Sequence, residues 1–527
     1  MEKRKKKIAV VLVLMLCLMS ISFASASVNE TVIKNVIILI PDGTRVEATT
    51  LARWYQGGGP LALDEMACGL SRTYWSDGPI TDSAPGGTAI ATGYKTYDKY
   101  VGVLPEASGK KPVASVLEGA QTLGKATGIV ATSEIMHATP ADFTAHYPDR
   151  SKYDEISEQQ VYNGLDVVLG GGYQFFTSEV RGDKENLIQE IKNLGYDLVT
   201  TPEAMKASKS SKLWGLFAQK DLSYDFDRDP VKQPSLAEMT KKAIEVLSKD
   251  KDGFFMMVEG SKVDWAAHSN DPIGVISDVL AFDAAVKEAL DFAKQDGHTV
   301  VISVTDHGTG GMTIGSAGTN KNYSSVALSA FMDPLKKAKL TGEGLEAKLS
   351  EDKSNVVEVM AEYFGITDLT EEEIVAIKAA EKGKLNSVVG PMISKRANIG
   401  WTTGGHTGED VVFYAYAPNG DRPTGVIENT DIAQYMARIM GFNLEEVTNK
   451  RFVHAETAFE AKGATVEWDD TDSQNPVLVV KKGSDVLKLP VNKNIAALNR
   501  KVIRMKGITV FNGITTYVPQ EAIDLIK

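Results

Sequence analysis

One serine in this chain lies in a sequence that could perform phosphoryl transfer. Ser83 falls in the run ITDSAPGGTA, residues 80–89, and the chain carries Asp and His residues elsewhere that could hold metal beside it. A hydroxyl is a weak nucleophile at neutral pH unless a base or a metal activates it. No histidine lies near Ser83 in sequence, so a metal that lowers the pKa of the hydroxyl is the alternative.

The residues after Ser83 indicate the start of a helix. Pro85 and the small residues that follow it are typical of a first helical turn. Ser83 would then lie near a helix N-terminus, where backbone N–H groups favour a phosphate. The simpler alternative is a helix cap made by Asp82 or Ser83, and the local sequence leaves both open.

Three of the seven histidines have neighbours that suit a metal site. His268 lies four residues after Asp264, which places both side chains on one face of a helix. Asp306 and His307 are adjacent, and His406 lies in the glycine-rich run GGHTG. Mixed Asp and His ligands suit Zn²⁺, whereas the oxygens of Asp, Glu and Thr suit Mg²⁺.

The pattern of apolar runs predicts an α/β fold with a large, mainly parallel sheet flanked by helices. Short β-branched runs alternate with longer helical patterns. Three such runs, at 36–40, 254–258 and 300–305, lead directly to Asp42, Glu259 and Asp306. Ligands bind at the carboxyl edge of open α/β sheets, so we expect these carboxylates to form a site.

The first 26 residues predict a secretory signal peptide. A basic segment, residues 3–7, precedes an apolar run at 8–21 and a small-residue cleavage site that ends at Ala26. We therefore expect a secreted or extracellular protein with no transmembrane segment. Cys68 is the only cysteine after the leader, which excludes an intrachain disulfide. The net charge of −12 argues against a nucleic-acid-binding role.

Taken in order, these motifs resemble bacterial alkaline phosphatases from about Val32 to about Met440. The matching segments are the Asp42-Gly43 strand end, 81–84 (TDSA), 133–140 (SEIMHATP) ending at Arg150, 258–260 (VEG) through Asp264 and His268, 305–307 (TDH), and 403–408 (TGGHTG). Their order and spacing together are highly specific. The resemblance implies an alkaline-phosphatase-like fold and hydrolysis of small phosphate monoesters.

The resemblance also implies a role for each matching residue. Ser83 would be the nucleophile that forms a phosphoserine, and Arg150 would clamp the phosphate. Two Zn²⁺ and one Mg²⁺ per chain are implied. Their ligands would be Asp264, His268 and His406 for one zinc, Asp42, Ser83, Asp306 and His307 for the other, and Asp42, Thr139 and Glu259 for magnesium.

Three residues depart from the pattern of the enterobacterial enzymes. Pro85 replaces a small residue after the nucleophile, and His137 and Trp265 stand where an Asp and a Lys are found. Other family members carry the same His and Trp. We place His137 and Trp265 with Arg150 among the substrate-binding residues, and we expect Mg²⁺ to bind more loosely at the third metal site while Zn²⁺ competes for it.

The expected domain organisation is a catalytic domain over 27–448, with an insertion around 309–397, and a small β-rich accessory domain over 449–527. The tail resembles a repeat domain named after copper amine oxidase, but it has no histidine after His454 and no cysteine, so copper binding is not expected. Association with the cell wall through this domain, and a homodimer, are left open. The rival functions are a phosphodiesterase or another hydrolase of the same superfamily, and a non-enzymatic phosphate-binding protein.

Overall fold

A ten-stranded sheet forms the centre of the molecule. The computed structural model describes residues 32–527, and the predicted signal peptide, residues 1–26, lies outside the described residues. The strands are, in chain order, β1 (Asn35–Ile40), β2 (Ala67–Arg72), β3 (Ala126–Glu134), β4 (Val167–Gly171), β5 (Asp197–Val199), β6 (Leu213–Leu216), β7 (Phe254–Glu259), β8 (Thr299–Val304), β9 (Gly308–Thr309), β10 (Thr313–Ile314), β11 (Ile399–Gly400), β12 (His406–Thr407), β13 (Val411–Tyr416), β14 (Gly425–Glu428), β15 (Val453–His454), β16 (Thr465–Asp469), β17 (Val477–Lys482), β18 (Asp485–Pro490), β19 (Ile495–Leu498), β20 (Lys501–Arg504), β21 (Val510–Phe511) and β22 (Thr516–Val518).

The large sheet has the order β14-β2-β13-β8-β1-β7-β3-β4-β6-β5. Every neighbouring pair is parallel except those of β13, which runs antiparallel to both β2 and β8. The predicted α/β class and mainly parallel sheet are therefore confirmed. The strands β8, β1 and β7 are adjacent, so the three runs that end in carboxylates meet at one edge.

Helices cover both faces of this sheet. They are α1 (Val46–Tyr55), α2 (Ser83–Thr92), α3 (Val116–Thr122), α4 (Ala138–Asp142), α5 (Tyr153–Tyr162), α6 (Leu187–Asn193), α7 (Pro202–Ala207), α8 (Leu236–Leu247), α9 (Lys262–His268), α10 (Pro272–Asp296), α11 (Ser329–Lys337), α12 (Gly342–Glu346), α13 (Val356–Phe364), α14 (Glu371–Ala379), α15 (Leu385–Arg396), α16 (Asn429–Met440), α17 (Leu444–Arg451), α18 (Ala455–Ala461) and α19 (Gln520–Asp524). Short 3₁₀ turns lie at Ala62–Met66, Glu106–Ser108, Tyr173–Phe176, Ala317–Thr319 and Tyr323–Ser325. Among the described residues, no helix combines the length and the apolar character needed to cross a membrane.

The alternation of side chains along β1 shows why the sheet is covered on both sides. Val36, Ile38 and Ile40 belong to one core, with residues of α2, α3 and α16. Ile37 and Leu39 belong to a second core, with residues of α8 and α10. A strand that is apolar on both faces must be buried on both faces, which is typical of parallel sheets.

The segment between β8 and β13 includes residues 309–397, for which the sequence predicts an insertion. Helices α11 to α15 pack around their own apolar core, which also includes residues of α9 and the first turns of α10. Two short antiparallel pairs, β10 with β11 and β9 with β12, bring the chain back to the edge of the large sheet.

The C-terminal residues form two further sheets, β15-β22-β21 and β16-β17-β18-β19-β20. A fourth core lies between these strands and the helices α18 and α19. The β-rich character predicted for the tail is thus confirmed. Residues 33–527 nevertheless form one compact unit, so the tail packs against the rest of the chain.

A buried polar network joins this tail to α5. Lys493 Nζ lies 3.0 Å from Glu158 Oε1, and Asn492 Nδ2 donates to Glu158 Oε2 at 2.9 Å. Gln159 Nε2 donates to Asn492 Oδ1 at 3.0 Å. Burial raises the pKa of Glu158 to about 7 although the Lys493 charge opposes that rise. The charged form of Glu158 is therefore stabilised mainly by Lys493.

We expect Lys493→Met to lower the free energy of unfolding by about 3 kcal/mol at pH 8, because it leaves a buried carboxylate unpaired. The loss is smaller at pH 5.5, since Glu158 with a raised pKa is then protonated and carries no charge. Thermal melts at the two pH values measure the difference. Lys501→Met, at an exposed lysine of β20, is the matched control, and equal losses from the two variants at pH 8 would contradict the prediction.

Candidate active site

The carboxyl ends of β8, β1 and β7 gather acidic side chains that are entirely buried. Ile40 pairs with Glu259 across β1 and β7, and Asp42 follows β1 by two residues. Asp306 follows β8 in the same way. Asp42, Glu259 and Asp306 all have 0% exposure. A cluster of buried carboxylates is costly unless cations compensate it, which is a general property of charges removed from water.

The first ligand cluster consists of Asp264, His268 and His406. His268 Nε2 lies 3.1 Å from His406 Nε2 and 3.3 Å from Asp264 Oδ2. The Nδ1 atoms of the two rings lie 2.7 Å from the carbonyl oxygen of Gly404 and 2.8 Å from that of Thr81, respectively. A proton on each Nδ1 is thus bound to a carbonyl, and both Nε2 atoms face the carboxylate, an arrangement that is common around protein metals.

The second ligand cluster consists of Asp42, Asp306 and His307. His307 Nε2 lies 3.5 Å from Asp42 Oδ1, 3.4 Å from Asp306 Oδ2 and 3.2 Å from Ser83 Oγ. Both oxygens of Asp42 and Oδ2 of Asp306 are buried and accept no hydrogen bond. Burial raises the pKa of Asp42, and the charges of Asp306, Asp264 and Glu259 raise it further.

These distances fit metal ions at both clusters. Ligands about 2.0 Å from a tetrahedral zinc ion lie about 3.3 Å from one another. Oxygens that are buried without a hydrogen-bond donor gain a partner when a cation binds. The mixed carboxylate and imidazole donors are those that zinc takes.

A third group of oxygens lies beside the second cluster. Oε1 of Glu259, Oγ1 of Thr139 and the oxygens of Asp42 are all buried without a hydrogen-bond partner. Burial and the charge of Asp306 raise the pKa of Glu259 to about 7. A set made only of hard oxygen donors fits Mg²⁺.

Thr309 connects the first two clusters, and its role could not be read from the sequence. Its Oγ1 donates to Asp264 Oδ1 at 2.5 Å and lies 3.2 Å from His307 Nδ1. Since the hydroxyl has one proton, its oxygen accepts from the Nδ1–H of His307, which leaves His307 Nε2 facing Asp42 and Ser83. Gly43 is required beside it, because a Cβ there would lie 2.7 Å from Thr309 Oγ1.

Ser83 is the first residue of α2, as the sequence predicts, and it is buried. Asp82 precedes the helix, but its side chain makes no capping hydrogen bond. The Ser83 hydroxyl instead faces His307 of the second cluster. The plain helix cap is therefore not what the structure contains at this position.

Arg150 contacts Asp82, the residue before Ser83, and is held by two partners. Nη1 donates to Asp82 Oδ2 at 2.6 Å, and Nη2 donates to His137 Nε2 at 2.9 Å. Three of the five guanidinium N–H groups remain for another ligand. Burial lowers the pKa of His137 to about 3, and the charge of Arg150 adds to that effect, so the imidazole is neutral.

The ring of Trp265 contacts His137 edge-on, with 5.8 Å between ring centroids. The structure thus gathers all the candidate residues at one edge of the sheet. They are Asp42, Ser83, His137, Thr139, Arg150, Glu259, Asp264, Trp265, His268, Asp306, His307 and His406.

Comparison with known proteins finds similarity to alkaline phosphatases over most of the chain. The family model for alkaline phosphatase matches residues 33–442, and the model for the copper amine oxidase N-terminal domain matches residues 442–525. Alkaline phosphatase 4 of Bacillus subtilis strain 168 is 42% identical over 428 residues, which cover 77% of this chain and 89% of that protein.

Two solved structures are also similar. The alkaline phosphatase of Thermus thermophilus is 29% identical, with a TM-score of 0.72 over 78% of this chain and 92% of its own. A variant of the alkaline phosphatase from the Antarctic bacterium TAB5, with a histidine changed to aspartate and Mg bound in its M3 site, is 29% identical, with a TM-score of 0.57 over 78% and 99%. The family match over more than half of the chain, with a relative that is 42% identical, shows that this protein belongs to the alkaline phosphatase family.

Proposed function

We propose that the protein is a metal-dependent phosphomonoesterase that works through a phosphoserine on Ser83. The observation that carries the proposal is the position of the Ser83 hydroxyl, at a helix N-terminus and 3.2 Å from His307 in a cluster of metal-ligand types. Alkaline phosphatase activity itself follows from the family. The mechanism, the metals and the residue roles are the parts that we infer.

The proposed reaction has two displacements at phosphorus. Ser83 Oγ attacks the phosphorus atom and loses its proton to solvent, the bond to the alcohol oxygen breaks, and that oxygen takes up a proton to leave as the alcohol. Water then attacks the phosphoserine and loses a proton, the bond between phosphorus and Ser83 Oγ breaks, and Ser83 Oγ takes up a proton as inorganic phosphate is released. Arg150 donates N–H groups to two phosphate oxygens throughout, while Asp82 and His137 fix the plane of its guanidinium.

The three ligand sets would hold two Zn²⁺ and one Mg²⁺. Asp264, His268 and His406 would hold the first zinc, and Asp42, Asp306 and His307, with Ser83 Oγ, would hold the second. Asp42, Thr139 and Glu259 would hold magnesium. Cations at these places would lower the pKa of the Ser83 hydroxyl and of bound water and would neutralise charge on the attacking and leaving oxygens.

We also infer that the protein is secreted after cleavage near Ala26. The inference rests on the charge and hydropathy pattern of residues 1–26. The domain boundary near residue 448 and an accessory role for residues 449–527, such as association with the cell wall, remain proposals, as does a homodimer.

Ser83→Ala is expected to remove phosphomonoester hydrolysis, because the attacking oxygen is lost. The neighbouring side chains that would bind the cations remain unchanged. The test compares the rates at which the enzyme hydrolyses p-nitrophenyl phosphate and bis-p-nitrophenyl phosphate at alkaline pH with Zn²⁺ and Mg²⁺. We expect the wild-type enzyme to prefer the monoester by at least about a hundredfold and acid quenching to trap phosphate on Ser83. Preference for the diester, or activity that survives in the variant, would assign the protein to another branch of the superfamily.

Removal of metal by a chelator is expected to abolish turnover and to lower the melting temperature, since buried carboxylates then repel one another. A cation at a thousand times its dissociation constant stabilises the folded state by about 4 kcal/mol. Elemental analysis, thermal melts and activity measured on the same sample test this. Readdition of Zn²⁺ with Mg²⁺ should restore both properties, and full activity in a sample free of metal would refute the proposal.

His137→Asp is expected to tighten Mg²⁺ binding at the third site by about tenfold, because it replaces a neutral imidazole with a hard anionic ligand type. Calorimetric titration of Mg²⁺ into the zinc-loaded protein measures the affinity, with His137→Asn as the uncharged control. One tight Mg²⁺ in the wild-type chain, unaltered by the change to Asp, would contradict both this prediction and the looser binding expected from the sequence.

A further inference from the structure

A groove of about 560 Å³ opens beside the first ligand cluster. His268 and Trp265 form the end nearest the cluster, and residues of the insertion and of the loop after β6 form the walls. The volume lies within the range of about 300–1,000 Å³ that small-molecule sites have. Since His268 belongs both to the groove and to the cluster, a molecule in the groove would lie next to the phosphate site.

A buried lysine contacts four of the residues that line the groove. Lys262 has 0% exposure, and its Nζ donates to Asp221 Oδ2 at 2.6 Å and to Glu343 Oε2 at 3.2 Å. The same ammonium lies 4.3 Å from the ring centroid of Tyr224 and 4.7 Å from that of Trp265. These contacts tie the insertion helix α12 and the loop after β6 to the aromatic residue at the end of the groove.

The charges of the groove are balanced. Lys220 and Lys384 line it together with Asp221, Glu343 and Glu346, and Lys262 is paired with Asp221 and Glu343, which gives three lysines and three carboxylates. An ionic ligand therefore gains no net attraction. The lining is polar and apolar in nearly equal parts, so a ligand that combines hydroxyl groups with an apolar face matches it best.

Several groups in the groove remain free to hydrogen-bond a ligand. Lys220 and Lys384 are exposed, and neither forms an ion pair with a described residue. Asn386 also lines the groove, and its Nδ2 donates to Tyr224 Oη at 3.3 Å. Ser387 and Ser269 lie 3.2 Å apart at the mouth of the groove. Donors and acceptors are thus interleaved around an aromatic ring.

We propose that this groove binds the alcohol portion of the substrate and that the preferred alcohol is polyhydroxylated, such as a sugar. A ring with many hydroxyl groups donates and accepts at once, and its C–H face can pack on Trp265. The assignment rests on the proposed phosphomonoesterase activity, with the phosphate at Ser83 and Arg150 and the alcohol leaving toward His268.

The test compares three phosphomonoesters with the metal-loaded enzyme. Glucose 6-phosphate and n-hexyl phosphate have the same number of carbons and differ in hydroxyl groups. The third ester, p-nitrophenyl phosphate, measures phosphate hydrolysis without a polyhydroxylated alcohol. We expect kcat/KM for glucose 6-phosphate to exceed that for hexyl phosphate by about tenfold or more. Equal values, or preference for hexyl phosphate, would overturn the assignment.

A variant with Lys384→Met and Ser387→Ala changes the groove at exposed positions that touch no metal-ligand residue. It should lose about tenfold in kcat/KM on glucose 6-phosphate and change by less than about twofold on the other two esters. Lys382→Met, at an exposed lysine outside the groove, is the control and should change none of the values. An equal loss on all three esters would overturn the assignment, and no hydrolysis of any ester by the wild-type enzyme would refute the proposed function together with it.

Discussion

The burial of several carboxylates at one edge of a parallel sheet is the constraint on which the rest of the structure depends. Asp42, Glu259 and Asp306 have no exposure to water, and most of the oxygens that face one another have no hydrogen-bond donor. Charge removed from water in this way has to be compensated, and the neighbouring imidazoles supply ligand atoms for cations without adding to the repulsion. The adjacency of β8, β1 and β7 brings these three side chains together at that edge.

The remaining ligands come from elements that close over this edge. The α9 helix holds Asp264 and His268 on one face, and the pairing of β9 with β12 sets His406 opposite Thr309. The hydroxyl of Thr309 then contacts ligands of both clusters. The insertion packs on α9 through a core of its own, so the same helix that holds two ligands also forms a wall of the groove beside Trp265.

Much of this arrangement could be predicted from the sequence, because it is encoded locally. The sheet contains the strands predicted from the apolar runs before Asp42, Glu259 and Asp306. Helices begin at Ser83 and contain Asp264 and His268, as the small residues and the four-residue spacing predict. The parts that could not be predicted are contacts between distant segments. Thr309 is an ordinary threonine in sequence, and Lys262 is an ordinary lysine until folding brings Asp221 and Glu343 to it.

The distribution of the ligands along the chain has a consequence for the order of folding. Asp42 follows the first strand, whereas His406 precedes the thirteenth, so the first and last of the proposed metal ligands are separated by most of the residues that match the family. Parallel strands joined over such distances give a high contact order, and proteins of this kind fold slowly because long loops must close before their contacts form. A nascent chain that ends before β12 would hold the acidic edge of the sheet without one of the imidazoles that completes it. If these clusters hold cations as proposed, a chain that ends before β12 would lack one ligand of the first cluster and would retain metal less well than the finished chain.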